Sequence, residues 1–158
     1  MLPKSALTER LGLAYPIIQA PMASATTPAL AAEVSEAGGL GSLGLGAISV
    51  DAAAAEIQRF GQMTAKPLNA NFFCHEDPVD VTGTGGSMRH RLAPFFQEHS
   101  AGDVPGPNIP YGTFSAEHAA MLSVEKPAVV SFHFGLPDEE FLEKVRSAGA
   151  FILCSATT

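Results

Sequence analysis

Tyr15-Pro-Ile-Ile-Gln-Ala-Pro-Met22, followed by Ala37-Gly-Gly-Leu-Gly-Ser-Leu-Gly44, is the part of the sequence that decides the fold. The first stretch reads as a short apolar strand, Pro16 to Ala20, that stops abruptly in a Pro-Met turn. Proline cannot donate to a ladder, so a strand bounded by two of them is brief. Between the stretches, Pro28 to Ala37 is predicted helical: Thr27 is placed to cap it, Pro28 suits its first position, and Gly38-Gly39 ends it. Leu40 to Leu45 is then a second strand. Strand, helix and strand in this order are the beginning of a parallel α/β sheet.

The same alternation continues outward. Asp51 to Gln62 is predicted helical, with Ile57 and Phe60 on one face and Asp51 in the first turn. Pro67 to Phe73 is a third strand, Ala128 to Phe134 a fourth and Ala150 to Ser155 a fifth. Asp138 to Ala148 forms an amphipathic helix with Phe141, Leu142 and Val145 along one stripe. The strands start near residues 16, 40, 67, 128 and 150, so three gaps of 22 to 27 residues suit βα units and one gap of 61 does not. The long gap, residues 74 to about 112, reads as an insertion. Gly83-Thr-Gly-Gly86, Pro105-Gly-Pro107 and Pro110 make much of it loop, and Ser87 to Ser100 is its one predicted helix. It leaves from the C-terminal end of a strand, where α/β barrels carry their active-site loops.

Composition narrows the function classes. The 158 residues are 46% hydrophobic and 16% charged, which is a core-forming globular chain. A net charge of -7, with nine basic residues scattered along the chain, argues against nucleic acid as a partner. No apolar run reaches the roughly 18 residues of a membrane span, and the N-terminus fits neither a signal nor a transit peptide. Cys74 and Cys154 read as two reduced thiols in a cytoplasmic protein. No metal-ligand spacing joins the five histidines to one another or to a cysteine, so no metal site is expected.

The strands carry polar residues where a parallel sheet is usually apolar. Gln19, Asn69 with Asn71, and Ser131 with His133 share one parity. The other parity is apolar: Ile18 and Ala20, then Leu68, Ala70 and Phe72, then Val130, Phe132 and Phe134. Period-two alternation turns one set toward helices and the other toward the inside of a barrel. Unpaired buried amides cost roughly 1–3 kcal/mol each, so a set of them converging at one end points to a site that hydrogen-bonds a ligand. His133, in Val130-Ser-Phe-His-Phe-Gly135, stands next to Gly135 and Pro137 at a strand-to-helix turn and reads as functional. A lone strand histidine elsewhere is more often a satisfied core group. The glycines of Gly38 to Gly46 follow a helix and contain the strand, the reverse of a dinucleotide fingerprint. They read as a helix stop plus close helix–strand packing.

Five motifs, in order, resemble the nitronate monooxygenase family: Pro16-Ile-Ile-Gln-Ala-Pro-Met22, Ala37-Gly-Gly-Leu-Gly-Ser-Leu-Gly44, Lys66-Pro-Leu-Asn-Ala-Asn-Phe72, Ser131-Phe-His-Phe-Gly135 and Cys154-Ser-Ala-Thr157. The resemblance implies a TIM-type (β/α)8 barrel, here truncated to about its first five strands with a long insertion after the third. Residues 1–158 would be the N-terminal part of one FMN-binding domain, its C-terminal half absent. It also implies FMN at the C-terminal mouth of the barrel. The implied reaction is oxidation of alkyl nitronates by molecular oxygen to a carbonyl compound and nitrite. The backbone of Ala20, Pro21 and Met22 would lie along the flavin ring, Asn71 would hydrogen-bond it, and His133 and Tyr111 would line the pocket for an anionic substrate. The family's general-base histidine and phosphate-binding loops would lie beyond Thr158. Two alternatives stand beside this reading: a flavin-dependent enoyl-acyl-carrier-protein reductase, whose relatives carry Gly-Gly-Met where this chain has Ala20-Pro21-Met22, and a non-catalytic barrel remnant.

Overall fold

A computed structural model describes residues 5–76, 82–106 and 112–156. They fall into two compact units, one of residues 1–75 and 111–158 and one of residues 76–110. The larger unit is a parallel α/β sheet of β1 (Gly41–Gly44), β2 (Leu68–Phe73), β3 (Val129–His133) and β4 (Phe151–Cys154), hydrogen-bonded in the order β1-β2-β3-β4. Its helices are α1 (Ala6–Leu11), α2 (Pro28–Glu36), α3 (Val50–Met63), α5 (Ala116–Glu125) and α6 (Glu139–Ser147); α4 (Thr82–Glu98) belongs to the smaller unit. Each strand pairs with its successor and the order never reverses, which distinguishes this sheet from a doubly wound one.

Local sequence explains the elements. Thr27 caps α2 by accepting from the Leu30 amide at 3.2 Å, with Pro28 in the first turn. Ser49 does the same for α3 through Ala52, at 3.3 Å. The predicted α6 face is confirmed, with Leu142 and Val145 buried. Ion pairs on the exposed side of α6, such as Lys144–Glu140 at 2.7 Å, add little to stability. α2 meets β1 unusually closely. Ser35, only 2% exposed, accepts from the Gly41 amide and donates to the Pro67 carbonyl, both at 2.9 Å. A Cβ on Gly41 would stand 2.0 Å from the Ala31 carbonyl oxygen, so the glycine is what lets the helix backbone sit on the strand. The packing role predicted for the glycine-rich stretch is therefore correct.

The two faces of the sheet differ as the parity predicts. Leu43, Leu68, Ala70, Phe72, Val130 and Phe132 pack against α2, α3, α5 and α6 in one core. Phe114 joins this core by edge-to-face contacts with Phe72 at 5.4 Å and Phe132 at 5.1 Å. The opposite face begins with an apolar layer, where Leu40 and Val129 pack with Leu13 and the half-buried Leu11, Phe151 and Leu153. The Arg10 guanidinium lies 4.7 Å from the Phe151 ring centre. α1 and the residues after it thus close the N-terminal end of this inner face, and polar groups occupy the rest.

Three expectations need correction. Pro16 to Ala20 is not a strand. It makes one parallel bridge, Ile18 with Leu40, through Leu40 N–H to Ile17 O and Gln19 N–H to Leu40 O, each 2.9 Å. Pro16 and Pro21 have no N–H to extend the ladder. The insertion helix starts at Thr82 rather than Ser87, so Gly83-Thr-Gly-Gly86 is helical backbone despite its poor propensity. It ends near the predicted Ser100, whose φ of 51° closes the last turn. Two helices, α1 and α5, were not anticipated. The α5 run, Ala116-Glu-His-Ala-Ala-Met-Leu-Ser-Val-Glu125, lay between the insertion and the fourth predicted strand, and its buried Ala119, Met121 and Leu122 complete the helix side of the core.

At the start of α5, His118 couples the fold to pH. Its ring stacks on Phe114 at 5.4 Å, and Nδ1 accepts from the Ser115 amide at 3.2 Å. Burial lowers its pKa from the ordinary 6.5, opposed by the charge of Glu117. A proton on Nδ1 also removes the acceptor that the Ser115 amide uses. The folded state therefore favours neutral His118, and this contribution is complete above the unfolded pKa. It is lost as pH falls from about 6.5 through the lower folded value. Urea midpoints at pH 7.5 and 5.5 are expected to separate less for His118→Gln than for the parent. Equal separations would assign the acid sensitivity elsewhere.

Candidate functional site

The site lies on the inner face, running from the level of Ser42 and Asn69 up to the C-terminal ends of β2 and β3 at Phe73 and His133. Register places Ser42 beside Asn69, Gly44 beside Asn71, Asn71 beside Ser131 and Phe73 beside His133. Asn69 and Asn71 are each 2% exposed and Ser42 is fully buried. Asn69 Nδ2 donates to Ser42 Oγ at 3.0 Å, and Asn71 Nδ2 donates to Ser131 Oγ at 2.9 Å and Ser131 O at 3.2 Å. Gln19 Oε1 accepts from the Ser42 amide at 3.2 Å. Two buried polar atoms here, Gln19 Nε2 and Asn69 Oδ1, have no hydrogen-bond partner among the described residues. Amides that line an ordinary core seldom leave such atoms over.

Above this polar layer, the chain from Ala20 to Met22 crosses the end of β1. A Cβ on Gly44 would lie 2.9 Å from the Ala23 nitrogen and 3.1 Å from the Met22 carbonyl carbon. The turn that follows is self-contained: the Met22 amide donates to Thr26 Oγ1 at 3.1 Å, and the Thr26 amide donates to Met22 O at 2.9 Å. Ser24 adopts a φ of 63° within it. Ala20 and Met22 are exposed and Pro21 is half-buried, so this backbone has an open side.

His133, half-buried at the end of β3, is followed by Phe134, which holds a left-handed φ of 71° while 68% exposed. That conformation costs a non-glycine residue about 1–2 kcal/mol, and backbone strain of this kind clusters at functional sites. The Phe134 ring lies 5.4 Å from Phe73 and 6.3 Å from His133, giving an aromatic rim at the ends of β2 and β3. Nearby, burial pushes the Cys74 thiol up to about 11, so it is not a nucleophile at neutral pH.

Of the residues predicted for the site, Ala20, Pro21, Met22, Asn71 and His133 thus fall at one end of the sheet. Tyr111 lies outside the described residues. Ser42 and Phe134 belong to the site and were not singled out, although Ser42 has the same parity as Gly44 in a strand whose glycines masked the pattern. A surface groove of about 310 Å³ borders the turn after Met22, lined by Ser24, Thr26, Gly44 and Leu45. One of about 460 Å³ lies by Pro67, Leu68 and Ala128 at the opposite ends of β2 and β3, and one of about 550 Å³ lies between α5 and α6. Among the described residues no three His, Cys, Asp or Glu side chains converge as metal ligands would, and no helix is long and apolar enough to cross a membrane.

Comparison with known proteins gives this geometry a context. The family model for nitronate monooxygenase matches residues 4–158. The nitronate monooxygenase of Paraburkholderia phytofirmans is 45% identical over 157 residues, covering 98% of this chain and 43% of the relative. That of Pseudomonas aeruginosa is 39% identical over 153 residues, covering 96% of this chain and 44% of its own length. Among solved structures, nitroalkane oxidase from Streptomyces ansochromogenes superimposes with a TM-score of 0.78 at 36% identity, covering 98% of this chain and 43% of that one. FabK from Thermotoga maritima gives 0.67 at 25% identity, covering 97% of this chain and 37% of that one. The chain therefore spans less than half the length of the relatives it matches.

Proposed function

From the premise that this chain belongs to the nitronate monooxygenase family, we propose that it forms the flavin-facing N-terminal part of a (β/α)8 barrel that oxidises alkyl nitronates with molecular oxygen. The products are a carbonyl compound and nitrite. The observation that carries the reading is the hydrogen-bonded set of Gln19, Ser42, Asn69, Asn71 and Ser131 on the inner face of parallel strands, beside the backbone that crosses Gly44 at Met22. The unreversed strand order, with α2, α3, α5 and α6 on one face and α1 closing the N-terminal end of the other, suits an arc of such a barrel.

The residues present fit the ring of FMN. A planar ring with polar edges needs an open backbone to lie on and fixed hydrogen-bonding groups beside it. Ala20 to Met22 supply the first, and Asn71, locked by two bonds to Ser131, supplies the second. When bound, FMN would take electrons from the substrate and pass them to oxygen. His133 would orient an anionic nitronate as a hydrogen-bond donor, and Tyr111 would line the same pocket. Phe73 and Phe134 would cover its apolar substituent and limit water. Residues 1–158 are thus one part of a single domain, with residues 74 to about 112 as an insertion after its third predicted strand.

Oxygen uptake by the FMN-reconstituted protein, with an alkyl nitronate as substrate and nitrite as the measured product, tests this. The expected result is nitronate-dependent uptake that falls at least tenfold in His133→Ala, a variant that removes a pocket donor. NADH consumption with an enoyl thioester, and none of oxygen with a nitronate, would move the protein to the reductase reading. Turnover of neither would contradict catalysis by this chain.

A further inference from the structure

The partners of the Ser42 amide reveal how the chain leaves the sheet. Leu40 N–H bonds Ile17 O and Gln19 N–H bonds Leu40 O, both at 2.9 Å, as in a regular parallel ladder. The next rung of such a ladder would join Ser42 N–H to the backbone carbonyl of Gln19. The Gln19 side chain is there instead, with Oε1 accepting from Ser42 N–H at 3.2 Å. Its amide stands in for backbone, which frees residues 20–22 to peel away without orphaning the amide of a fully buried serine. Pro21, with no N–H, leaves no second rung to break. Gly44 then provides the clearance under Met22 and Ala23.

We propose that Gln19 is a positioning residue for the cofactor-facing turn: its side chain, bonded to Ser42, sets the path of Ala20-Pro21-Met22 over Gly44. The role rests on the flavin reading above. It is specific to the carbonyl end of the amide, because Nε2 has no hydrogen-bond partner among the described residues. Replacing that nitrogen by oxygen therefore removes no bond, and Gln19→Glu keeps the acceptor whether its carboxyl is ionised or neutral. Gln19→Met keeps the length and removes the acceptor.

The test is carried out on the whole chain with two readouts: amide hydrogen exchange at Ser42, with Leu45 N–H bonded to Asn71 O as an internal reference, and the FMN dissociation constant by fluorescence. Gln19→Met is expected to speed Ser42 exchange about tenfold relative to Leu45 and to weaken FMN about tenfold, the loss of one hydrogen bond in each case. Gln19→Glu, which keeps the acceptor for the Ser42 amide, is expected to restore Ser42 protection to near the parent value. Gly44→Ala, which displaces Met22 and Ala23 without touching the Ser42 bond, should weaken FMN comparably and leave Ser42 protected. Unchanged Ser42 exchange in Gln19→Met would overturn the tether. Faster exchange with FMN affinity unchanged would overturn the positioning role. A parent chain that binds no FMN would overturn the flavin reading itself, and the role with it.

Discussion

Gly41→Ala is expected to lower folding stability by about 3 kcal/mol, the upper range for forcing one extra carbon into a close-packed contact. The position has an ordinary backbone conformation, so the effect is steric. A Cβ would stand 2.0 Å from the Ala31 carbonyl oxygen and 2.7 Å from Ser35 Oγ, and the first of these is helix backbone that cannot rotate aside. α2 must lift off β1, which also stretches the Ser35 bonds to Gly41 N–H and Pro67 O. For a chain of this size the loss corresponds to a fall in Tm of roughly 10 °C. Gly61→Ala is the control. It lies within α3 with nothing inside 4 Å, and is expected to stabilise by about 0.5–1 kcal/mol. Urea denaturation of both variants checks the pair, and a Gly41→Ala loss below about 1 kcal/mol would mean that α2 is seated less tightly than described.

Asn71→Leu is expected to affect stability and ligand together. Asn71 is buried between β1 and β3, and its Nδ2 serves both Ser131 O and Ser131 Oγ. Leucine has similar volume but leaves those acceptors unserved, at a cost of roughly 1–3 kcal/mol. If Asn71 also holds the flavin, FMN affinity falls a further tenfold or more, and the loss persists under conditions where the variant is fully folded. Ser131→Ala separates the contributions, since it removes one acceptor and keeps the amide. A folded Asn71→Leu protein with parental FMN affinity would remove Asn71 from the binding site.

The fold was legible where strand alternation was uninterrupted. Leu68 to Phe73 and Val129 to His133 alternate except at Phe73 and Val129, which are apolar on the polar face, so the sequence separated the two faces before any coordinates. It misjudged Pro16 to Ala20 because apolar content suggests a strand, whereas hydrogen-bond capacity decides one, and two prolines and a side-chain substitute cut the ladder to one bridge. Gly83 to Gly86 misled in the opposite direction: glycine disfavours helix without forbidding it. Within the site, Asn71 and His133 were visible as polar residues in apolar strands. Ser42 was not, because β1 reads Gly41-Ser-Leu-Gly44 and offers too few side chains to show a period. The φ of Phe134 is invisible to any pattern of composition.

The central claim is that this chain builds a flavin-facing surface, and FMN titration of the purified 158-residue protein tests it most directly. After free cofactor is removed, the account predicts retained flavin approaching one per chain, with shifted absorbance and quenched fluorescence. Complete loss of flavin on removal of the free pool would contradict it.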